Sequence, residues 1–219
     1  MDQIQTDKIN SFLTLCGVKD IEIFIAKCTK LKDLLYEENS KYNLTSIKDD
    51  FEFWNRHIAD SASIGIYFRK QILGSKTIAD IGCGAGFPSI ILAIMYPEQH
   101  IIAIDSTGKK TNFVKIAAEA LNLKNIEVIT GRSNELKIAA RFDLITARAV
   151  AEPTKIFRET YHLLSNKGNF ILYQTPSEIE THLSVINKFT SQDRLKWSIS
   201  ETFQIPGGEN RIFLYSNRK

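Results

Sequence analysis

The chain has 219 residues, of which 43% are hydrophobic and 24% charged. That size suits one domain with a small appendage and a self-sufficient core, and the balance excludes disordered and collagen-like classes. The net charge of +3 is far below the excess carried by proteins held to nucleic acid by charge alone.

Residues 1–73 predict helices. Ile9, Phe12, Leu13 and Cys16 recur at the spacing of one buried helical stripe, and Ile21, Phe24, Ile25, Cys28 and Leu35 resume it after a break at Gly17. Phe51, Trp54, Ile58 and Ala62 predict a third helix that ends before Leu73-Gly74-Ser75. Nothing here alternates with period two, so a helical N-terminal extension over 1–73 is expected ahead of a second unit over 74–219. The extension carries 10 basic and 11 acidic side chains, whereas 74–219 carries 18 and 14 and holds the basic bias.

From Thr77 the rhythm changes. Short β-rich runs (77–81, 101–105, 126–130, 142–147, 169–174) are interleaved with helical ones (89–96, 109–121, 153–164, 178–189). This predicts βαβ units and a parallel sheet covered on both faces. Two last runs, 197–205 and 211–216, are joined by Pro206-Gly207-Gly208 with no helix between them, and are expected to pair antiparallel. Trp197 and Phe203 are expected in the core. The plan is a seven-stranded α/β fold: five parallel strands and a closing antiparallel hairpin.

The three cysteines (Cys16, Cys28, Cys83) form no CxxC pair, and His100, His162 and His182 have no ligand-like spacing with any cysteine or carboxylate, so neither a disulfide framework nor a metal site is expected. No basic, then apolar, leader opens the chain, and its longest apolar run is seven residues, 90–96. A cytoplasmic location with no membrane attachment is the expectation.

The most informative segment is Asp80-Ile81-Gly82-Cys83-Gly84-Ala85-Gly86-Phe87-Pro88, where the first strand runs into the first helix. Glycines there let the backbone turn tightly and approach a ligand. Asp105 ends the second strand, where a carboxylate can accept hydrogen bonds from ribose hydroxyls. The dinucleotide fingerprint is G-x-G-x-x-G; this chain has G-x-G-x-G with Asp80 two residues ahead of it. A carboxylate there would repel a pyrophosphate and suits the ammonium of a methionine moiety, although it can also simply cap a strand end. Spacing and acid together resemble motif I of the class I S-adenosylmethionine-dependent methyltransferases, whose Rossmann-like sheet is mostly parallel with a reversed last strand.

In such folds the loop after the third strand passes the adenine. Here it reads Gly131-Arg132-Ser133-Asn134-Glu135, and an Asn134 amide oxygen can accept from an adenine amine. Ser133 or Asn134 can equally cap a helical turn. After the fourth strand comes Ala147-Arg148-Ala149, where methyl group and acceptor meet in this fold. No Asn/Asp-Pro-Pro-aromatic loop exists for adenine amines, and Cys83 lies in the glycine loop rather than where pyrimidine C5 chemistry needs a nucleophile. An arginine suits an acceptor that loses no proton, such as guanine N7, with catalysis by proximity and no general base. Arg148 can hold the cofactor carboxylate or guanine O6; a surface arginine at a strand end is the plain alternative. His57 and Asp60, three residues apart, can form a catalytic pair but read better as a helix-surface hydrogen bond, and Lys109-Lys110 can touch phosphate or simply be solvated, the reading favoured here.

Over most of its length the chain resembles the bacterial RsmG (GidB) type of guanine-N7 methyltransferase acting on small-subunit (16S) ribosomal RNA. The resemblance rests on Tyr42-Asn43-Leu44-Thr45, Arg56-His57-Ile58-Ala59-Asp60-Ser61, the glycine loop, Asp105-Ser106 with Lys109-Lys110, Ala147-Arg148-Ala149 and Pro206-Gly207-Gly208-Glu209. It implies a methyltransferase domain over 74–219, with S-adenosyl-L-methionine as cofactor and contacts at Gly82, Phe87, Ser133, Asn134 and Arg148. With the residues read above, the candidate cofactor set is Asp80, Gly82, Gly84, Gly86, Phe87, Asp105, Ser133, Asn134 and Arg148, with Arg148 also the catalytic candidate. The partner it implies is ribosomal RNA; because a charge of +3 neutralises few phosphates, RNA already folded within the assembled small subunit is the expected substrate, and a monomer is expected. Family members usually carry glutamate where Asn134 stands, and Lys-Gly where this chain has Tyr173-Gln174, at the edge presumed to face RNA. The remaining alternatives are a same-fold methyltransferase of a small molecule or protein, and a ribosome-binding module with a vestigial cofactor loop.

Overall fold

The computed structural model describes residues 1–137, 141–149, 152–192 and 195–218. Strands β1 (Thr77–Ile81), β2 (His100–Asp105), β3 (Ile126–Thr130), β4 (Phe142–Ala147) and β5 (Leu164–Gln174) are parallel, in the order 3-2-1-4-5. Helices α6 (Ser89–Met95), α7 (Gly108–Ala120) and α8 (Pro153–Thr160) lie between them in sequence, and α9 (Pro176–Gln192) follows β5. In β2, Ile101, Ile102, Ala103 and Ile104 are all buried, the continuous apolar run of a strand covered on both faces. β3, at the sheet's edge, keeps polar, partly exposed positions.

β8 (Asn210–Arg218) runs antiparallel between β5 and β6 (Leu195–Ile199), which closes the seven-strand order 3-2-1-4-5-8-6. The antiparallel pairing expected of the last two runs is present, but 197–205 is not one strand. It breaks after Ile199 and returns as the two-residue β7 (Phe203–Gln204), also paired with β8. Ser200 causes the break: its hydroxyl accepts the Phe213 N–H at 2.9 Å while its own N–H donates to the Phe213 carbonyl at 2.9 Å. A side chain thus replaces one rung of the ladder. Trp197 is buried, whereas Phe203 is only partly so and stacks on Phe213.

The N-terminal residues are helical, as their spacing predicts. α1 (Gln3–Leu15) begins with a reciprocal Asp2/Gln5 capping box, and α2 (Ile21–Tyr42) with Asp20 accepting from Ile23 N. Asn43 ends α2 in the left-handed region, at φ 49°. Ile9, Leu13, Phe24, Leu31 and Leu35 share one apolar cluster with Ile90 of α6 and Phe113 and Val114 of α7, so these helices pack on the sheet's own covering layer.

The predicted third helix is a correction. Residues 50–62 form a turn of α-helix, α3 (Asp50–Glu52), a π-helical segment Phe53–Ala59 and another turn, α4 (Asp60–Ala62), before α5 (Ile64–Gly74). The wider winding shifts which side chains face inward, with consequences at the site.

Candidate active site

The strand order reverses direction between β1 and β4, and ligand crevices in open α/β sheets form outside the carboxyl ends of strands at such a point. There the chain leaves β1 at Gly82, β2 at Ser106, β3 at Gly131 and β4 at Arg148. A cleft of about 400 Å³ opens here, lined by Gly82, Asp105, Gly131, Ser133, Asn134 and Ile156 among others, within the usual range for small-molecule sites. Asp105 Oδ2 accepts from Gly84 N at 3.0 Å and Oδ1 from Thr107 N at 2.8 Å. Each oxygen retains a further lone pair for a ligand hydroxyl. Ser133–Glu135 is a single 3₁₀ turn with no side-chain cap, so the capping alternative for Ser133 and Asn134 is not what the structure shows.

Four of the nine predicted cofactor residues therefore line the cleft: Gly82, Asp105, Ser133 and Asn134. Gly84, at φ +56°, sits in the loop tied to Asp105, and a Cβ there would meet nothing closer than Gly82 O at 4.0 Å. Gly84 and the other four lie outside the lining. Gly86 serves packing, since a Cβ would come within 2.4 Å of Ile90 Cδ1. Asp80 is fully buried and caps α6, its Oδ2 accepting from Ser89 N at 2.9 Å. Its Oδ1 is buried without a hydrogen-bond partner among the described residues, and burial pushes the carboxyl up to about 7. The buried Phe87 ring stacks on His57, with centroids 4.2 Å apart and planes 6° from parallel.

Arg148 is not a surface residue. Its side chain is 14% exposed, and Nη1 donates to Asp60 Oδ2 at 3.0 Å and to the Arg56 carbonyl. Nη2 lies 3.4 Å from His57 Nδ1, and the guanidinium carbon lies 5.9 Å from the Phe87 centroid. Asp60 Oδ1 accepts from Arg211 Nε at 3.0 Å, so one buried carboxylate holds two arginines. His57 and Asp60 are consequently not the helix-surface pair expected of their spacing: both are buried and both turn to Arg148. With Nδ1 accepting from Arg148, His57 carries its proton on Nε2 and donates to Thr45 Oγ1 at 3.0 Å.

The outer layer of this brace follows the same logic. Glu209 takes Asn55 Nδ2 at 2.7 Å and Arg56 Nε at 2.9 Å, and Gly207 N donates to Asn55 Oδ1 at 2.7 Å. Burial alone would raise the Glu209 carboxyl; these two donors outweigh it and hold it below its ordinary value. Tyr173, expected at an RNA-facing edge, is buried and donates to the Ser61 carbonyl at 2.7 Å. Gln174 is buried beside it. Four segments far apart in sequence thus close on one arginine.

Burial, and then the charge of Arg148, lowers His57 from 6.5 to about 3, while burial raises Asp80 from 3.8 to about 7. Between pH 5 and 6.5 the unfolded chain binds the extra proton at His57 and the folded chain binds it at Asp80, so the two slopes of stability against pH oppose each other. His57→Gln removes the first. Its stability is then expected to fall as pH rises across that window, by about 1.4 kcal/mol per pH unit at most. Urea titrations at several pH values check this; a profile as flat as the parent's would contradict it.

Among the described residues no group of three or more His, Cys, Asp or Glu side chains gathers as a metal site, and no helix is long and apolar enough to cross a membrane. A family model described as rRNA small subunit methyltransferase G matches residues 24–200. A ribosomal RNA small subunit methyltransferase G from Mesoplasma florum is 34% identical, over 88% of this chain and 81% of that protein. The protein of the same name from Lactococcus lactis subsp. cremoris strain MG1363 is 31% identical, over 97% of this chain and 90% of its own length. Among solved structures, an O-methyltransferase from Bacillus cereus in complex with SAH superposes with a TM-score of 0.58 at 16% identity, covering 87% of this chain and 91% of that one. A SAM-dependent methyltransferase from Aquifex aeolicus gives 0.57 at 17% identity, covering 79% and 96%. At such identities the structural likeness speaks for the fold.

Proposed function

Because the chain belongs to the rRNA small subunit methyltransferase G family, we propose that it methylates N7 of a guanine in small-subunit ribosomal RNA, with S-adenosylmethionine as methyl donor. The observation that carries this reading is the shared position of the cleft and Arg148 outside the carboxyl ends of adjacent strands β2, β1 and β4. We read residues 74–219 as the methyltransferase domain, 1–73 as its helical extension, and the protein as a cytoplasmic monomer.

The residues present fit the cofactor. Asp105 offers free lone pairs to ribose hydroxyls, Ser133 and Asn134 line the same cleft and can meet an adenine there, and the unpartnered Asp80 Oδ1 suits an ammonium close to the loop. Room at Gly84 lets a ligand approach the backbone. When bound, S-adenosylmethionine supplies an electrophilic methyl group. The chain's own task is to hold donor and acceptor in line, because guanine N7 presents a lone pair and has no proton to lose. Arg148, a fork of five N–H donors, orients the acceptor through guanine O6 or holds the cofactor carboxylate.

With a net charge of +3 the protein neutralises few phosphates, so charge-driven affinity for free RNA is low. Recognition then rests on shape and exposed loop bases, which assembled RNA presents in fixed form. The expected outcome of a labelled-cofactor assay is transfer to intact small subunits well above transfer to naked small-subunit rRNA. Equal or better transfer to naked RNA would overturn the preference for assembled subunits. Transfer to neither would leave the vestigial-module alternative standing.

A further inference from the structure

We propose that Asp60 is a positioning residue for methyl transfer and acts by fixing the Arg148 guanidinium. This rests on the reading of Arg148 as the residue that meets acceptor or cofactor. Arg148 follows β4 directly, and the next residue, Ala149, has φ +50°, a left-handed conformation that alanine rarely adopts. Backbone of this kind persists where the surroundings over-determine it, and it clusters at functional sites.

The surroundings here are unusually specific. An α-helical pitch would send the Asp60 N–H to the Arg56 carbonyl; the π-helical segment sends it to the Asn55 carbonyl. The Arg56 carbonyl accepts from Arg148 Nη1, the same nitrogen that donates to Asp60 Oδ2 at 3.0 Å. One terminal nitrogen is thereby anchored twice, and the other is steered by His57 Nδ1 at 3.4 Å. Nε remains buried with no partner among the described residues. An orphaned donor of this kind is costly to keep, and it suits a group whose partner arrives with substrate or cofactor. Asp60, with a side chain 7% exposed, supplies the only carboxylate oxygen bonded to Arg148 among the described residues. Its second oxygen is fixed by Arg211, so the carboxylate cannot swing.

Asp60→Glu keeps the charge and lengthens the arm by one methylene, which displaces the guanidinium without removing its ion pair. Asp60→Asn keeps the shape and removes the charge. Both are to be measured for melting temperature, S-adenosylhomocysteine binding by calorimetry, and kcat and KM on intact small subunits. Asp60→Glu is expected to melt within a few degrees of the parent yet lose at least about tenfold in kcat, since small misplacements cost rate heavily; S-adenosylhomocysteine binding within about threefold then assigns Arg148 to the acceptor, and a parallel loss of binding assigns it to the cofactor carboxylate, either of which supports the positioning role. Asp60→Asn should lose kcat in the same direction; if it fails to fold, the glutamate variant decides. Glu209→Gln loosens the same brace one layer further out and is expected to keep kcat within about twofold. Parental kcat in Asp60→Glu would overturn the proposal, as would an equal loss in Glu209→Gln, because general loosening would then suffice. Full activity in Arg148→Lys would instead remove the reading of Arg148 on which the proposal rests; a loss there beside an unimpaired Asp60→Glu would remove the positioning role alone.

Discussion

Arg148→Ala is expected to destabilise the fold by about 3 kcal/mol as well as abolish methyl transfer. A buried ion pair deprived of one partner costs roughly 3–5 kcal/mol, and the lower figure applies because Asp60 keeps Arg211. The Arg56 carbonyl and His57 Nδ1 lose their donor at the same time. For a chain of this length each kcal/mol moves Tm by about 2–4 °C, so a drop of roughly 6–12 °C is the readout. Arg148→Lys should fall between, since an ammonium can reach Asp60 but lacks the planar fork that reaches three groups together. An unchanged Tm in Arg148→Ala would return the residue to the surface role that a strand-end arginine ordinarily has.

Gly84→Val should leave the fold standing and remove cofactor binding, by at least about a hundredfold in Kd, or some 2.7 kcal/mol. Two effects combine. A β-branched residue at φ +56° is strained and pulls the loop away from its position. The Gly84 N–H then no longer meets Asp105 Oδ2, so the carboxylate assigned to the ribose loses its orientation. The side chain itself would stand in open space, clear of protein atoms. Gly86→Ala is the informative contrast: its methyl group runs into Ile90, and the damage falls on stability. Calorimetry with S-adenosylhomocysteine beside thermal melting separates the two. Parental affinity in folded Gly84→Val would show that this loop does not hold the cofactor.

The sheet was legible because strand runs and turns are local signals. β1, β3 and β4 begin and end where their apolar runs do, and the glycine loop falls between β1 and α6 as its spacing requires. The cleft residues Gly82, Asp105, Ser133 and Asn134 were legible for the same reason, since each stands at the end of a strand or just beyond one. The brace was not. Apolar spacing around Phe51–Ala62 predicts a helical period of 3.6, and the π-helical segment breaks that period. The composition of 53–62 carries no compensating signal. Five of its ten residues are polar, the ordinary make-up of a half-exposed helix, so composition alone gives no sign that Asn55, His57 and Asp60 are buried with partners. Which partners those were is a matter of tertiary closure. The resemblance rests on the segments 42–45, 56–61, 147–149 and 206–209 as separate motifs; only the fold brings them together around Arg148.

That closure also fixes an order in time. Apart from His57 and Thr45, 12 positions apart, the bonds of the brace that cross between segments join residues from 88 positions apart, for Arg148 and Asp60, to 154 apart, for Asn55 and Glu209. Contacts at such separations form only after the loop-closure entropy of the intervening chain has been spent by the sheet. The brace is therefore expected to form after the transition state, so that Asp60→Asn should speed unfolding and leave the folding rate nearly unchanged; a slowed folding limb in stopped-flow refolding would contradict it. The buried charges that aim Arg148 double as a latch, setting how long each molecule stays folded.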